Sequence, residues 1–185
     1  MKGPLPQFGY QLQLGSDDQV VEKVIHGEER IRKFLKGIYG GRSSSGAHML
    51  TPEDGVNLTV VENDEVGMTP LLNEEELEYY VQRFTATGMN GPCNWYRTRL
   101  VNWESEKAMP AEARKGVKQP TLFLQALADG VLRPEMSRGM EDKIPNLTRG
   151  EVNASHWALW HTPQETNDLI KRWFEQVVFG GKSKI

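Results

Sequence analysis

The sequence predicts an α/β chain in two parts: a helical, loop-rich stretch over residues 1–115 and a strand–helix–strand–helix stretch over 116–185. Three observations carry this. Pro120 opens a short apolar run over 121–127, of the length and content of a buried parallel strand. A second short run, 147–152, follows after a connection long enough to return the chain parallel to the first. Before residue 115, apolar residues recur at helical rather than alternating spacing.

In chain order, residues 1–16 read as an extended lead marked by Pro4, Pro6, Gly9 and Gly15 and containing Phe8-Gly9-Tyr10-Gln11-Leu12. Asp17 or Asp18 suits the N-cap of a helix over 17–39, where Val21, Val24, Ile31, Phe34, Leu35 and Ile38 fall near helical spacing. Gly27 in its middle argues against an unbroken helix. Residues 40–72, rich in Gly, Ser, Pro and acids without periodicity, read as a flexible loop. Their GGRSSSG lacks the lysine of a phosphate-binding loop, and no strand precedes it.

Asn73 and Glu76 form a capping box for a helix over 73–87, with Leu77, Tyr80, Val81 and Phe84 on one face and Gly88 at its end. Pro92 opens a helix over 92–107 whose stripe is Cys93, Tyr96, Leu100 and Trp103. Residues 105–118 are a polar linker. Beyond the first strand, Pro134 suits a first helical position, and Met136, Met140 and Ile144 repeat at helical spacing. Thr162, Pro163 and Glu165 start a last helix with an apolar face of Leu169, Ile170, Trp173, Phe174 and Val177.

Charge and composition narrow the function classes. A net charge of −3 gives no electrostatic reason to expect a nucleic acid or an acidic membrane surface as partner. No apolar run approaches a membrane span. The single cysteine, Cys93, excludes an intrachain disulfide and a cysteine-based zinc site and fits a reducing compartment. His26 and His48 have no ligand-spaced partners, so no metal is expected; no cofactor is expected either. The opening MKGPLPQFGY lacks the apolar stretch of a secretory signal, which points to the cytoplasm. The final Ser-Lys-Ile, close to Ser-Lys-Leu, keeps the peroxisome as a second address.

Two residues stand out chemically. Asp129 falls at the carboxyl end of the first strand, where open α/β sheets place their chemistry, and His156 follows the second strand. A carboxylate and a histidine at one sheet edge form the acid-to-base half of a catalytic triad. Each residue also has a plainer use, the Asp as a turn former and the His as a hydrogen-bonding residue of its loop.

The stretch YYVQRFTATGMNGPCNWYRTRLVNWE resembles the lid of the soluble epoxide hydrolases of the α/β-hydrolase superfamily. So do FGYQLQL, ADGVLRPEMSRGMEDKIPNLTRGEV and ASHWALWHTPQETNDLIKRWF, and the likeness leaves out only the 40–72 stretch. It implies a partial α/β-hydrolase fold: a helical lid over 1–115, then the last two parallel strands and helices of the core over 116–185. In that family an Asp nucleophile opens the epoxide to an alkyl-enzyme ester, and two lid tyrosines donate hydrogen bonds to the oxirane oxygen. A His oriented by a second Asp then activates water, which releases a vicinal diol. Residue by residue, the resemblance assigns Tyr10 and Tyr96 as the lid donors, Asp129 as the orienting acid and His156 as the base.

The pattern is also incomplete. No small-x-Asp-x-small turn followed by Trp-Gly-Gly occurs in the 185 residues, and no His-Gly-x-Pro loop. The expectation is a chain inactive alone, which acts on a small-molecule epoxide when completed by the N-terminal half. The alternative is a non-catalytic protein that uses the lid for binding or homo-oligomer contacts. Without the resemblance, Tyr10 and Tyr96 fit packed tyrosines with satisfied hydroxyls equally well.

Overall fold

In the computed structural model, which describes residues 5–180, the chain divides into two units, Met1–Lys107 and Ala108–Ile185. The Ser-Lys-Ile end lies outside the described residues. Among those residues, no helix is long and apolar enough to cross a membrane.

In the first unit, a 3-10 turn, Pro6–Phe8, leads into α1 (Tyr10–Leu14), followed by α2 (Val20–Val24) and α3 (Gly27–Ile38). A short antiparallel hairpin, β1 (Leu50–Thr51) with β2 (Gly55–Val56), precedes α4 (Leu58–Asn63). Then come α5 (Glu74–Thr87), α6 (Asn90–Arg97) and α7 (Arg99–Ala108). Val21, Ile25, Ile31, Leu35, Val61 and Val81 are its most deeply buried aliphatic side chains. The capping box of α5 forms as expected, with Glu76 N–H donating to Asn73 Oδ1 at 2.9 Å and Asn73 N–H to Glu76 Oε2 at 2.9 Å.

Four expectations for this unit are corrected. Of the lead expected over 1–16, the described residues 5–16 are not extended. Gly9 packs so closely that a Cβ would lie 1.9 Å from the carbonyl oxygen of Glu53, and Tyr10 N–H donates to Pro52 O at 2.9 Å. These contacts with the distant residues 52–53 fold the lead into α1. The helix expected over 17–39 is two helices. His26 is extended and Gly27 takes φ +74°, reached without steric cost only by glycine, and the bend buries Val21, Ile25 and Ile31 together.

Residues 40–72 are not a featureless loop. Gly55 at φ +86° closes the hairpin, and Asn57 Oδ1 accepts from Val60 N–H at 3.3 Å to cap α4. The helix expected over 92–107 breaks at Thr98 and starts ahead of Pro92. Its stripe holds only in part: Cys93 is buried and Tyr96 half-buried, but Leu100 and Trp103 are exposed.

In the second unit, β3 (Thr121–Ala126) and β4 (Leu147–Val152) run parallel, in register from Thr121↔Leu147 to Ala126↔Val152. α8 (Ala158–His161) and α9 (Pro163–Trp173) follow, the latter continuing as a π-helical turn, Phe174–Phe179. α9 lies close on the sheet. A Cβ on Gly150 would sit 2.6 Å from Leu124 Cδ2 and 3.5 Å from Leu169, and Trp173 Nε1–H donates to Thr148 Oγ1 at 3.2 Å.

The helix expected after Pro134 is replaced by two 3-10 turns, Pro134–Ser137 and Met140–Asp142. Gly139 at φ +77° separates them, and Met136 is exposed rather than packed. Arg149 on β4 fixes this crossover, donating from Nη2 to Ser137 O at 2.6 Å and from Nε to Glu141 Oε1 at 2.6 Å. Thr162 does not cap α9 through its side chain; its Oγ1 donates to Ala158 O at 3.2 Å instead. The apolar face of α9 ends at Trp173, since Phe174 and Val177 are exposed.

The Gly9 contact is directly testable. Gly9→Ala forces a methyl group into the Glu53 backbone. The expected cost is about 1–3 kcal/mol of unfolding free energy in a urea titration, as for other overpacked sites. A variant as stable as the parent would refute the close packing of α1 on residues 52–53.

Candidate active site

The parallel ladder does the first part of the positioning. It runs past the strands proper, with Leu127 N–H donating to Val152 O and Ala128 N–H to Ala154 O, both at 3.0 Å. Asp129 and His156 therefore leave the same carboxyl-end edge of the β3–β4 pair, the edge at which open α/β sheets carry ligands. Asp129 then turns back on its own loop, its Oδ1 accepting from Val131 N–H at 2.8 Å and Leu132 N–H at 3.0 Å. Its Oδ2 faces His156 Nδ1 at 3.0 Å.

The Asp129 side chain is only 7% exposed and that of His156 is 49% exposed. Burial, the largest single influence, pushes the Asp129 carboxyl up. The hydrogen bonds from Leu132, Val131 and His156 together outweigh it and hold the group below its ordinary value, so it is an anion at neutral pH. An ionised carboxylate only accepts, so Nδ1 of His156 carries a proton, and in the neutral ring the lone pair is therefore on Nε2. That is the tautomer a general base needs.

The loop around His156 is built to hold the ring. Ala154 N–H closes a tight turn onto Val152 O at 2.9 Å, and Ser155 Oγ lies 3.1 Å from His161 Nδ1. Trp157 meets the imidazole edge to face at 5.5 Å, and Trp160 meets Trp157 in the same way at 5.6 Å. Beneath Asp129, the buried Gln125 donates from Nε2 to Leu132 O at 3.3 Å, bracing the turn that supplies the carboxylate's donors.

In the first unit, Tyr10 opens α1 and Tyr96 lies in α6, and their rings meet edge to face at 5.8 Å. The approach depends on Gly15, where a Cβ would stand 2.9 Å from Tyr96 O. Arg97, the next residue, donates from Nε and Nη2 to Ser16 O at 3.2 and 3.1 Å and pairs with Glu22. The Arg97 and Glu22 side chains are 17% and 13% exposed, so this pair is sheltered from solvent.

Gln11 Nε2 donates to Tyr10 Oη at 3.3 Å, which leaves the Tyr10 O–H free to donate elsewhere. Burial raises the pKa of the Tyr96 phenol, with Tyr10 and Cys93 adding to it, so Tyr96 stays a protonated donor. The Cys93 thiol is pushed up to about 11, chiefly by burial and then by Glu22, which leaves it unreactive at neutral pH.

The structure thus joins Asp129 to His156 and Tyr10 to Tyr96, the two pairs standing in different units. Sequence reasoning missed Gln11, Arg97, Gln125 and the two backbone donors to Asp129. Asp129-Gly130 is a turn sequence that could have flagged the donors, and Arg97 stands in the conspicuous Asn94-Trp95-Tyr96-Arg97. Nothing local marks Gln125 or Gln11, whose partners depend on the fold.

No family model matches the chain. It is 36% identical to the epoxide hydrolase srdG of Neurospora crassa, in an alignment covering 92% of this chain and 51% of that protein. To the bifunctional epoxide hydrolase 2 of Mus musculus it is 34% identical over 94% of this chain and 31% of that one. Its fold matches the crystal structure of epoxide hydrolase A from Mycobacterium thermoresistibile with a TM-score of 0.69 and 25% identity, over 90% of this chain and 51% of that chain. An epoxide hydrolase of Vigna radiata also gives a TM-score of 0.69, at 21% identity. The chain therefore spans about half, or less, of the length of these relatives and carries an α/β-hydrolase fold in part.

Asp129 gives this site a signature in acid. A carboxyl whose folded pKa is depressed contributes stability above its unfolded value, and that contribution is lost as the pH falls through the folded one. Asp129→Asn is expected to be less stable than the parent at neutral pH, with the gap closing below the ordinary value of 3.8. Urea titrations from neutral pH into acid check this; a gap that did not narrow would contradict the ionised, hydrogen-bonded Asp129.

Proposed function

Because the chain belongs, over the part that it spans, to the epoxide hydrolase family of the α/β hydrolases, we propose that it supplies the lid and the acid–base pair for hydrolysis of an epoxide to a vicinal diol. The observation that carries this is the Asp129–His156 contact of 3.0 Å at the carboxyl-end edge of two parallel strands. In this reading the first unit is the lid and the second is the C-terminal part of the hydrolase core.

The reaction assigns each residue a task. A carboxylate attacks one oxirane carbon, the C–O bond breaks, and the oxygen leaves as an alkoxide that takes a proton. Tyr10 and Tyr96 donate to that oxygen; the Tyr96 phenol, held protonated by burial, can stabilise the developing charge without ionising first. The product of this step is an ester between enzyme and substrate. His156 Nε2 then takes a proton from water, whose oxygen attacks the ester carbonyl; the ester C–O bond breaks, and the diol and the free carboxylate result. Asp129 stabilises the imidazolium that forms, which then releases its proton and balances the one taken up by the alkoxide. The attacking carboxylate has to come from outside these 185 residues, which contain no matching strand-to-helix turn.

A second reading, a binding or self-association protein built on the lid, is favoured by one observation. Trp95 is 79% exposed on α6, and Leu100, Val101 and Trp103 are exposed on α7. In the second unit, the two-stranded sheet and exposed Leu127, Leu132 and Phe179 also leave apolar surface uncovered. We expect the isolated chain to sediment as oligomers or larger species; a monodisperse monomer with a sharp thermal transition would count against that.

The catalytic reading is tested by completion. The 185-residue chain alone should not turn over an epoxide, and fusion to the N-terminal half of a close relative should give turnover. In the fusion, His156→Ala should slow ester hydrolysis by about 10²–10⁴-fold, the usual range for general-base catalysis, while ester formation persists. Mass spectrometry would then detect the trapped adduct. Turnover by the chain alone, or a His156→Ala fusion hydrolysing its ester at the parent rate, would overturn the assignment.

A further inference from the structure

We propose that Gln13 is the positioning residue for Tyr10 and that it acts through the hairpin over residues 50–56. This rests on the reading of Tyr10 as a donor to the oxirane oxygen. α1 has five residues, far too few to be stable by itself, so the place of Tyr10 is set by whatever grips that helix.

The Gln13 side-chain amide pairs with the backbone of Val56 as a neighbouring strand would: Oε1 accepts from Val56 N–H at 2.6 Å, and Nε2 donates to Val56 O at 2.9 Å. Gly55 makes room for it, since a Cβ there would lie 2.3 Å from Gln13 Oε1. Tyr10 N–H is tied to Pro52 O on the same hairpin at 2.9 Å. Gln13 follows Tyr10 by one helical turn, so the two side chains are neighbours on α1. The far end of α1 is fixed to α6 through Gly15 and through Ser16 O, which accepts from Arg97. α1 is thus held between the hairpin and the helix that carries Tyr96, and Gln13 is its side-chain link to the hairpin.

The residue type is specific to the task. One donor and one acceptor must face one residue's N–H and C=O at the same time, and Val56 is buried. Leucine has the bulk of glutamine but would leave both groups of Val56 without Gln13's bonds. Glutamate keeps the acceptor for Val56 N–H but sets a carboxylate against Val56 O. The graded loss expected from Leu and Glu follows from this chemistry.

Two measurements test the proposal. Hydrogen exchange on the full 185-residue chain reads the grip on α1. In Gln13→Leu, peptides covering residues 10–16 should exchange at least about tenfold faster while those of α5 keep the parent rate, as expected for a local opening. Gln13→Glu should show the same change to a smaller extent, and it decides the matter if Gln13→Leu does not fold. In the fusion enzyme, ester formation should slow by about tenfold or more, the scale of a displaced catalytic group, while hydrolysis of the ester keeps its rate. Unchanged exchange in α1, or α1 and α5 loosening together, would overturn the proposal. If α1 loosens but ester formation keeps its rate, Gln13 grips α1 without positioning Tyr10 and the proposal is overturned; a Tyr10→Phe fusion forming ester at the parent rate would separately remove Tyr10 as donor.

Discussion

Six residue pairs of parallel ladder, Thr121↔Leu147 to Ala126↔Val152, are the constraint on which the second unit depends. A slip of one residue would exchange the faces of a strand, turning Leu124 away from α9 and carrying Asp129 out of step with His156. Register also explains Gly150, whose missing side chain leaves room for Leu124 and Leu169. The crossover between the strands has little regular structure of its own. It is held by Arg149, which reaches from β4 to Ser137 and Glu141.

Asp129 illustrates how a buried charge is tolerated. Its carboxylate has three donors, two from its own turn and one from the imidazole, so the cost of burial is offset without a cation. The same three bonds order the turn, orient the ring and fix its tautomer. Stability and the geometry of the candidate site therefore draw on one set of hydrogen bonds. The turn residues Val131 and Leu132 belong to the site although they contribute only backbone.

In the first unit, close backbone approach takes the place of a ladder. Gly9 against Glu53 and Gly15 against Tyr96 bring a very short helix into contact with two distant segments, and Gln13 and Arg97 secure the two contacts with side-chain hydrogen bonds. The ring contact between Tyr10 and Tyr96 is a result of that packing. Two glycines that look like ordinary loop residues in the sequence are thus what allows the tyrosines to meet.

Where a signal was local, the sequence alone determined the outcome. Both parallel strands, the capping box of Asn73 and Glu76, and the candidate acid and base at the strand ends were legible, because short apolar runs, cap chemistry and strand ends are encoded within a few residues. The tertiary structure decided what depended on distant partners. Residues 5–16 read as extended in the sequence because the groups that fold them lie at 52–56, and 40–72 reads as a flexible loop because its hairpin is held by contacts with α1. The apolar repeat of Met136, Met140 and Ile144 gave way to Gly139 and to the hydrogen bonds of Arg149, which favour turns over a helix there. Local chemistry marks the candidate residues; only contacts across the chain bring Tyr10 to Tyr96 and set the donors around Asp129, because a hydrogen bond needs both of its ends in place.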